Sequence, residues 1–136
     1  MKKIIFCLLF MANLHAEPIE ITDAIVRLIP PVSKTTAMFF RLKNNLKKDL
    51  ILSKVESEIS DQIEIHNMKM ENGKMEMRSL LNFTFKSNEE SIFKSGGNHI
   101  MIFNLKRALK EDEKIKFKFI FENKAEINVD ATVKSL

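Results

Sequence analysis

Apolar and polar residues alternate along most of the chain after residue 17, with the period of two that is typical of strands. Turn-forming residues interrupt this alternation at roughly the 8–12-residue spacing of β-sandwiches and small barrels. No segment predicts more helix than one turn, at 107–113. We therefore expect an all-β, Greek-key β-sandwich or small barrel of about eight short strands. The predicted strands cover residues 19–21 with 24–28, 36–43, 50–55, 62–70, 74–80, 99–105, 114–122 and 126–133, with weaker edge candidates at 83–85 and 91–93.

A two-residue hairpin turn is predicted at Asn72 and Gly73, which separate two alternating segments. This dipeptide favours a type I′ turn, because both central residues of that turn need positive φ. In the strand before the turn, Ile63 and Ile65 point to one face, which we expect to be the core face. If pairing continues outward from the turn, the histidine and the four methionines of the hairpin lie on the opposite face. The facing pairs there are Met70 with Met75, Met68 with Met77, and His66 with Ser79.

A second strand repeats this arrangement of histidine and methionine. His99 and Met101 are two residues apart and therefore point to the same side, whereas Ile100 and Ile102 point to the other. If this strand lies beside the hairpin, the two sets of side chains converge.

The first 16 residues have the composition of a secretory signal peptide. Two lysines precede the apolar segment 4–12, and Ala16 provides a small residue at the expected cleavage point. The apolar segment is shorter than the roughly 20 residues that a membrane span needs; a retained N-terminal anchor is the alternative. We expect residues 1–16 to be removed and residues 17–136 to form one periplasmic domain without a membrane span.

Removal of this segment changes the chemistry that is open to the protein. Cys7 leaves with it, so the processed chain has no cysteine for a disulfide, a nucleophile, a redox dithiol or a blue-copper site. The net charge falls from +4 to +2, because Lys2 and Lys3 leave without an acidic residue. The remaining lysines alternate with apolar residues and form no arginine-rich stripe, so we expect no nucleic acid partner. We also expect no enzymatic activity.

The processed chain is rich in methionine and poor in histidine. Six methionines remain after processing, four of them within residues 68–77, and only His66 and His99 remain of the histidines. Thioether sulfur is soft and uncharged, so it prefers Cu(I) or Ag(I) to Zn²⁺, Mg²⁺ or Ca²⁺. Methionines that merely fill the core are the alternative. Because each histidine has a methionine two residues further on, we favour a soft-metal site.

The spacing of these residues resembles a known signature. His66, ten residues, Met77, twenty-one residues and then His99-x-Met101 match the pattern of the PCu(A)C periplasmic copper chaperones. The resemblance implies a cupredoxin-like β-sandwich that binds one Cu(I) ion per chain through His66, Met77, His99 and Met101. Met68 is a rival for Met77, because the predicted register places the two opposite each other.

The resemblance also implies a function. Its members are thought to deliver copper to the copper sites of respiratory cytochrome oxidase, often together with a Sco-type thiol protein. The expected partners are therefore a copper ion, the apo copper-site subunit of an oxidase and a Sco-type protein. The alternative is a methionine-lined module that binds a protein partner, for example by strand addition, and uses no metal.

Overall fold

Every segment that the sequence predicts as a strand forms one in the computed structural model, which describes residues 18–136. The predicted signal peptide and Glu17 lie outside the described residues, so their processing stays a prediction. The two weaker candidates are also strands, so the described part has ten strands rather than about eight. The strands are β1 (Ile19–Arg27), β2 (Thr36–Asn44), β3 (Leu50–Ser57), β4 (Gln62–Glu71), β5 (Lys74–Leu80), β6 (Phe83–Phe85), β7 (Glu90–Phe93), β8 (His99–Phe103), β9 (Lys114–Phe121) and β10 (Glu126–Lys134).

One hydrogen-bonded path connects nine of these strands, in the order β5-β4-β8-β2-β1-β10-β9-β3-β6. β7 and β8 pair with successive segments of β2. β1 joins the two halves of the path, since it is antiparallel to β2 and parallel to β10. The halves face each other: the rings of Phe40 on β2 and Phe119 on β9 have centroids 5.1 Å apart. This arrangement confirms the expected β-sandwich.

Phenylalanine rings dominate the core between the two halves. Phe117, Phe119 and Phe121 are buried on one face of β9, as the alternation along that strand predicts. Burial of one such side chain stabilises the fold by about 1.5–3 kcal/mol. The opposite face of β9 carries lysines, so the strand separates core from solvent. The same core covers β2 and β8, and it thereby fixes the position of the strand that contains His99.

The hairpin of β4 and β5 has the predicted turn. Asn72 and Gly73 both have positive φ, at 51° and 77°, which is the combination that a type I′ turn requires. β8 begins at His99, directly opposite His66, so the rest of the hairpin continues past the end of β8. The tip of the hairpin therefore has no neighbouring strand on its β8 side within the described part of the chain.

The short helical turn expected at 107–113 is wrong. This segment is an irregular loop, in which Asp112 has a φ of 66° that a right-handed helix excludes. Leu109 is buried against the core. Glu113 Oε1 accepts hydrogen bonds from the Lys110 backbone N–H at 2.8 Å and from Arg107 Nη1 at 3.0 Å. The burial of Leu109 and the backbone hydrogen bonds that Asp112 and Glu113 form with Val133 are tertiary contacts, and they override the helical tendency of the local sequence.

Replacing Glu113 with glutamine is expected to lower the free energy of unfolding by about 1 kcal/mol at neutral pH, because it removes an ionised acceptor. The hydrogen bond from Arg107 holds the pKa of the Glu113 carboxyl below its ordinary value of 4.5. A pKa that is depressed in the folded state gives stability above the unfolded-state pKa, and this stability is lost as the pH falls through the folded-state pKa. Urea unfolding at about pH 7 and about pH 3 measures the effect. The difference between the parent and Glu113→Gln should be smaller at the lower pH; an unchanged difference would contradict the assignment.

Candidate metal centre

The two predicted sets of side chains meet on β4 and β8. β4 lies between β5 and β8, and the register places His66 opposite His99. The centroids of these two imidazole rings are 5.7 Å apart, and their planes are tilted by 45°. On the other side of β4, the predicted hairpin register is confirmed in every pair, including Met68 with Met77 and His66 with Ser79. The strand of His99 therefore lies beside the hairpin, which is the condition under which the two sets of side chains can converge.

Both imidazoles are buried, although they lie on the face opposite the core isoleucines. His66 is 7% exposed and His99 is 5% exposed, because neighbouring side chains cover that face of the sheet. One cover is the ring of Phe103, whose centroid is 5.8 Å from that of His66. The sequence placed these histidines away from the core but did not predict this second buried region.

The hydrogen bonding of His66 fixes which ring nitrogen carries the proton. Nε2 lies 2.7 Å from Glu64 Oε2. An ionised carboxylate can only accept, so in the neutral imidazole Nε2–H donates and Nδ1 keeps its lone pair. That Nδ1 is buried and has no hydrogen-bond partner among the described residues. The same hydrogen bond lowers the pKa of the Glu64 carboxyl, which therefore stays ionised at neutral pH.

His99 is oriented by the backbone instead. Its Nδ1 lies 2.9 Å from the carbonyl oxygen of Gly97, which can only accept, so in the neutral imidazole Nδ1–H donates and Nε2 keeps its lone pair. The preceding Gly96 has a φ of 79°, a conformation that suits glycine and turns the chain back toward the ring. Each histidine thus presents one nitrogen lone pair while its other nitrogen is held by an acceptor, the usual arrangement of histidines that bind metals.

Glu64 and the Gly97 carbonyl are the functional groups that sequence reasoning missed as partners of the histidines. The signal for Glu64 was available, because residues 64 and 66 of one strand point to the same face. The partnership itself depends on side-chain torsions, which the strand pattern does not specify.

The methionines on the strands next to the histidine pair differ in exposure. Met101 and Met68 are half-buried, whereas Met77 is 48% exposed. Met101 pairs with Glu64 in the register of β4 and β8. Met68 is on β4 itself, one strand closer to His99 than Met77, which lies on β5. The geometry therefore leaves both Met68 and Met77 as neighbours of the histidine pair.

Between His66 and the turn, the hairpin separates thioethers from charges. Its methionines share one face with His66, while Lys69, Glu71 and Arg78 lie on the other face. Arg78 forms ion pairs with Glu71 and, at 3.6 Å, with Glu76. Because Met70, Met75 and Met77 are 62%, 50% and 48% exposed, core filling does not explain them.

The chemistry of the donors is selective. Within residues 18–136 there is no group of three or more histidine, cysteine, aspartate or glutamate side chains that could hold a metal ion. A metal centre at the histidine pair therefore depends on thioether sulfur, which favours a soft monovalent ion.

The described residues also contain no helix of the length and hydrophobicity needed to cross a membrane.

Solved structures with this fold include two that are described as copper-bound. A family model described as "Putative lipoprotein LpqE-like" matches residues 19–133. The copper-bound PCuAC domain from PmoF2 superposes with a TM-score of 0.75 at 14% identity, over 90% of this chain and 97% of that one. The solution structure of CuI-DR1885 from Deinococcus radiodurans superposes with a TM-score of 0.69 at 26% identity, over 91% of this chain and 83% of that one. None of the curated proteins matches the chain significantly. The cupredoxin-like fold and the resemblance to PCu(A)C domains are thus confirmed.

Proposed function

This chain belongs to the LpqE-like family and has the fold of PCuAC domains, and from this premise we propose that it binds Cu(I) and carries it to another protein. The observation that carries the proposal is the buried pair His66 and His99, each of which has a methionine two residues further along its strand on the same face. Two neighbours in fold are described as copper-bound, which supports copper as the cargo.

The proposed ligands are His66 through Nδ1, His99 through Nε2, the sulfur of Met101 and the sulfur of Met77, for one Cu(I) ion per chain. Met68 is the rival for the last position. All four donors are uncharged, so they match a monovalent ion better than a divalent one. Glu64 and the Gly97 carbonyl act as positioning groups, since they hold the two rings with the lone pairs available.

This donor set suits transport better than catalysis. Thioethers bind Cu(I) without a thiolate bond, so a recipient with stronger ligands can take the ion by ligand exchange. The half-exposed Met77 gives such a recipient a point of access at the edge of the sheet. We therefore propose a carrier and not an enzyme.

The proposed location is the periplasm, and the proposed recipient is the apo copper-site subunit of a respiratory oxidase, with a Sco-type thiol protein as a second partner. The predicted signal peptide and the lipoprotein description of the family support export from the cytoplasm. Mixing the Cu(I)-loaded protein with such a purified subunit, and measuring the copper content of each after separation, tests the delivery step.

A competition titration with a colorimetric Cu(I) chelator tests the binding site itself. The processed protein, residues 17–136, should take one tightly bound equivalent, and the variant His99→Ala/Met101→Ala should lose it. Ile92→Ala, an exposed position on β7, is the matched control and should bind like the parent. Equal binding by the parent and the double variant would contradict the proposal.

Two single variants decide between the candidate thioethers. If Met77 completes the site, Met77→Leu should weaken Cu(I) binding while Met68→Leu leaves it nearly unchanged; the reverse result assigns Met68. Met38→Leu is the control and should bind Cu(I) like the parent. Met38 is fully buried in the core, and the substitution replaces its side chain with another apolar one of similar size.

Replacing Glu64 with glutamine is expected to lower the Cu(I) affinity by about tenfold, the lower end of the range for partners that orient a ligand. The amide oxygen still accepts from His66 Nε2–H, but it lacks the charge that strengthens the hydrogen bond. The chelator titration gives the affinity, and urea unfolding checks that the fold is retained. An affinity equal to that of the parent would show that Glu64 does not position His66.

The alternative function is a methionine-lined module for a protein partner. It is favoured by the exposed side chains of Met70, Met75 and Met77 and by the position of β5 at the edge of the described sheet. An unpaired strand edge can accept a strand from another chain. Failure of the parent to bind Cu(I) in the titration would favour this alternative.

A further inference from the structure

Met70 and Met75 form a facing pair at the tip of the hairpin that the proposed Cu(I) site does not use. The two residues are directly opposite in the register of β4 and β5. Facing residues of antiparallel strands have Cβ atoms about 4.5–5.5 Å apart, within reach of two flexible side chains that share one ligand. Their exposed fractions are 62% and 50%, so both sulfurs are accessible from solvent.

The pair is aligned with the histidines. Along β4, Met70, Met68 and His66 occupy alternate positions and point to the same face. Successive side chains on one face of a strand are about 6.6 Å apart, so each step along this row is short for long, flexible methionines. Burial increases along the row, from exposed Met70 through half-buried Met68 to His66, which is 7% exposed.

No charged side chain competes on this part of the face. Near the turn, the lysines, the arginine, Glu71 and Glu76 lie on the other side of the hairpin, where Arg78 pairs with both glutamates. Glu64, on the same face as His66, lies at the far end of the row and hydrogen-bonds to His66. A hydrated divalent ion therefore has no carboxylate to bind beside Met70 and Met75. Their two thioethers are uncharged and soft, which restricts the ligand class to Cu(I) and similar ions such as Ag(I).

We propose that Met70 and Met75 form an outer Cu(I) site, which the ion occupies before it moves along the row to the histidine pair and again when it leaves. The inference rests on the proposed function for its inner end. Each step exchanges one thioether–copper bond for the next, the ion stays Cu(I), and no proton moves because the ligands are neutral. The outer site is weaker than the inner one, since it has two exposed donors and no imidazole.

The test uses the protein with ¹³C-labelled methionine methyl groups, titrated without oxygen with Cu(I) and, separately, with Ag(I). The first equivalent should shift the methyl signals next to the histidine pair, and the second should shift those of Met70 and Met75. In Met70→Leu/Met75→Leu the second equivalent should no longer bind. The affinity for the first equivalent should be unchanged, while its transfer from a chelator complex should be slower.

The matched control is Lys69→Gln/Glu76→Gln, a facing pair on the other side of the same hairpin whose replacement leaves the net charge unchanged. This control should bind both equivalents and load at the parent rate. A second equivalent that persists in Met70→Leu/Met75→Leu, or a parent that shows no shift of these methyl signals, overturns the outer site while the inner site stands. Shifts of Met70 and Met75 without any inner binding would instead contradict the proposed function, and with it the inward route.

Discussion

Replacing His66 with leucine is expected to lower the Cu(I) affinity by about a hundredfold or more, because loss of a partner that merely orients a ligand already costs about 10- to 100-fold. His66 Nδ1 is a buried lone pair without a hydrogen-bond partner among the described residues, so a bound ion is the natural acceptor of that lone pair. Leucine fills most of the space beside Phe103 but has no atom that can bind the metal ion. The chelator titration measures the affinity, and urea unfolding confirms that the fold remains.

A rescue variant separates the loss of a ligand from a change in packing. His66→Met restores a soft donor at the same buried position and should recover part of the affinity that His66→Leu loses. Equal affinities of the parent and His66→Leu would remove His66 from the site. Equal losses in His66→Leu and His66→Met would show that the position needs an imidazole.

Replacing Phe40 with alanine is expected to lower the free energy of unfolding by about 3–5 kcal/mol, as for other large aromatic side chains removed from a core. Phe40 is 1% exposed. Its ring centroid lies 4.4 Å from that of Phe93 and 5.1 Å from that of Phe119. It therefore joins strands of both halves of the sandwich. Because domains of this size have total stabilities of about 5–15 kcal/mol, the variant should be only marginally folded.

Thermal and urea unfolding of three proteins check this expectation. Phe40→Leu keeps most of the apolar volume and should lose much less stability than Phe40→Ala. Leu81→Ala removes a side chain that is 95% exposed and should stay within about 0.5 kcal/mol of the parent. A loss of less than about 1 kcal/mol in Phe40→Ala would contradict the packing of the two halves around this ring.

Phe40→Ala and His66→Leu also distinguish the proposed metal ligands from the core that holds their strands in place. Phe40 lies on β2, which pairs with β8 and so holds His99 in place. Phe40→Ala should bind Cu(I) in proportion to the folded fraction, whereas His66→Leu should stay folded and fail to bind. In this proposal, the core holds the strands that carry the ligands, and the face opposite the core provides the donor atoms.

The sequence by itself determined the hairpin and the strands. Asn72 and Gly73 fix a two-residue turn, and a turn of fixed length fixes every pair beyond it, from Met70 with Met75 to His66 with Ser79. The alternation of β9 likewise identified its buried phenylalanines. These features are local, so neighbouring residues contain the information that specifies them.

The tertiary structure decided the rest, because it depends on contacts between distant segments. The pairing of β4 with β8 brings together His66 and His99, which no turn connects, and it forms because the core isoleucines of both strands are buried together. The irregular loop at 107–113 is likewise held against its local tendency, by the burial of Leu109 and by the backbone hydrogen bonds that Asp112 and Glu113 form with Val133. The burial of the two imidazoles and the acceptors that orient them follow from side-chain packing. Strand periodicity specifies the face of a side chain, whereas packing specifies its neighbours and its free lone pair.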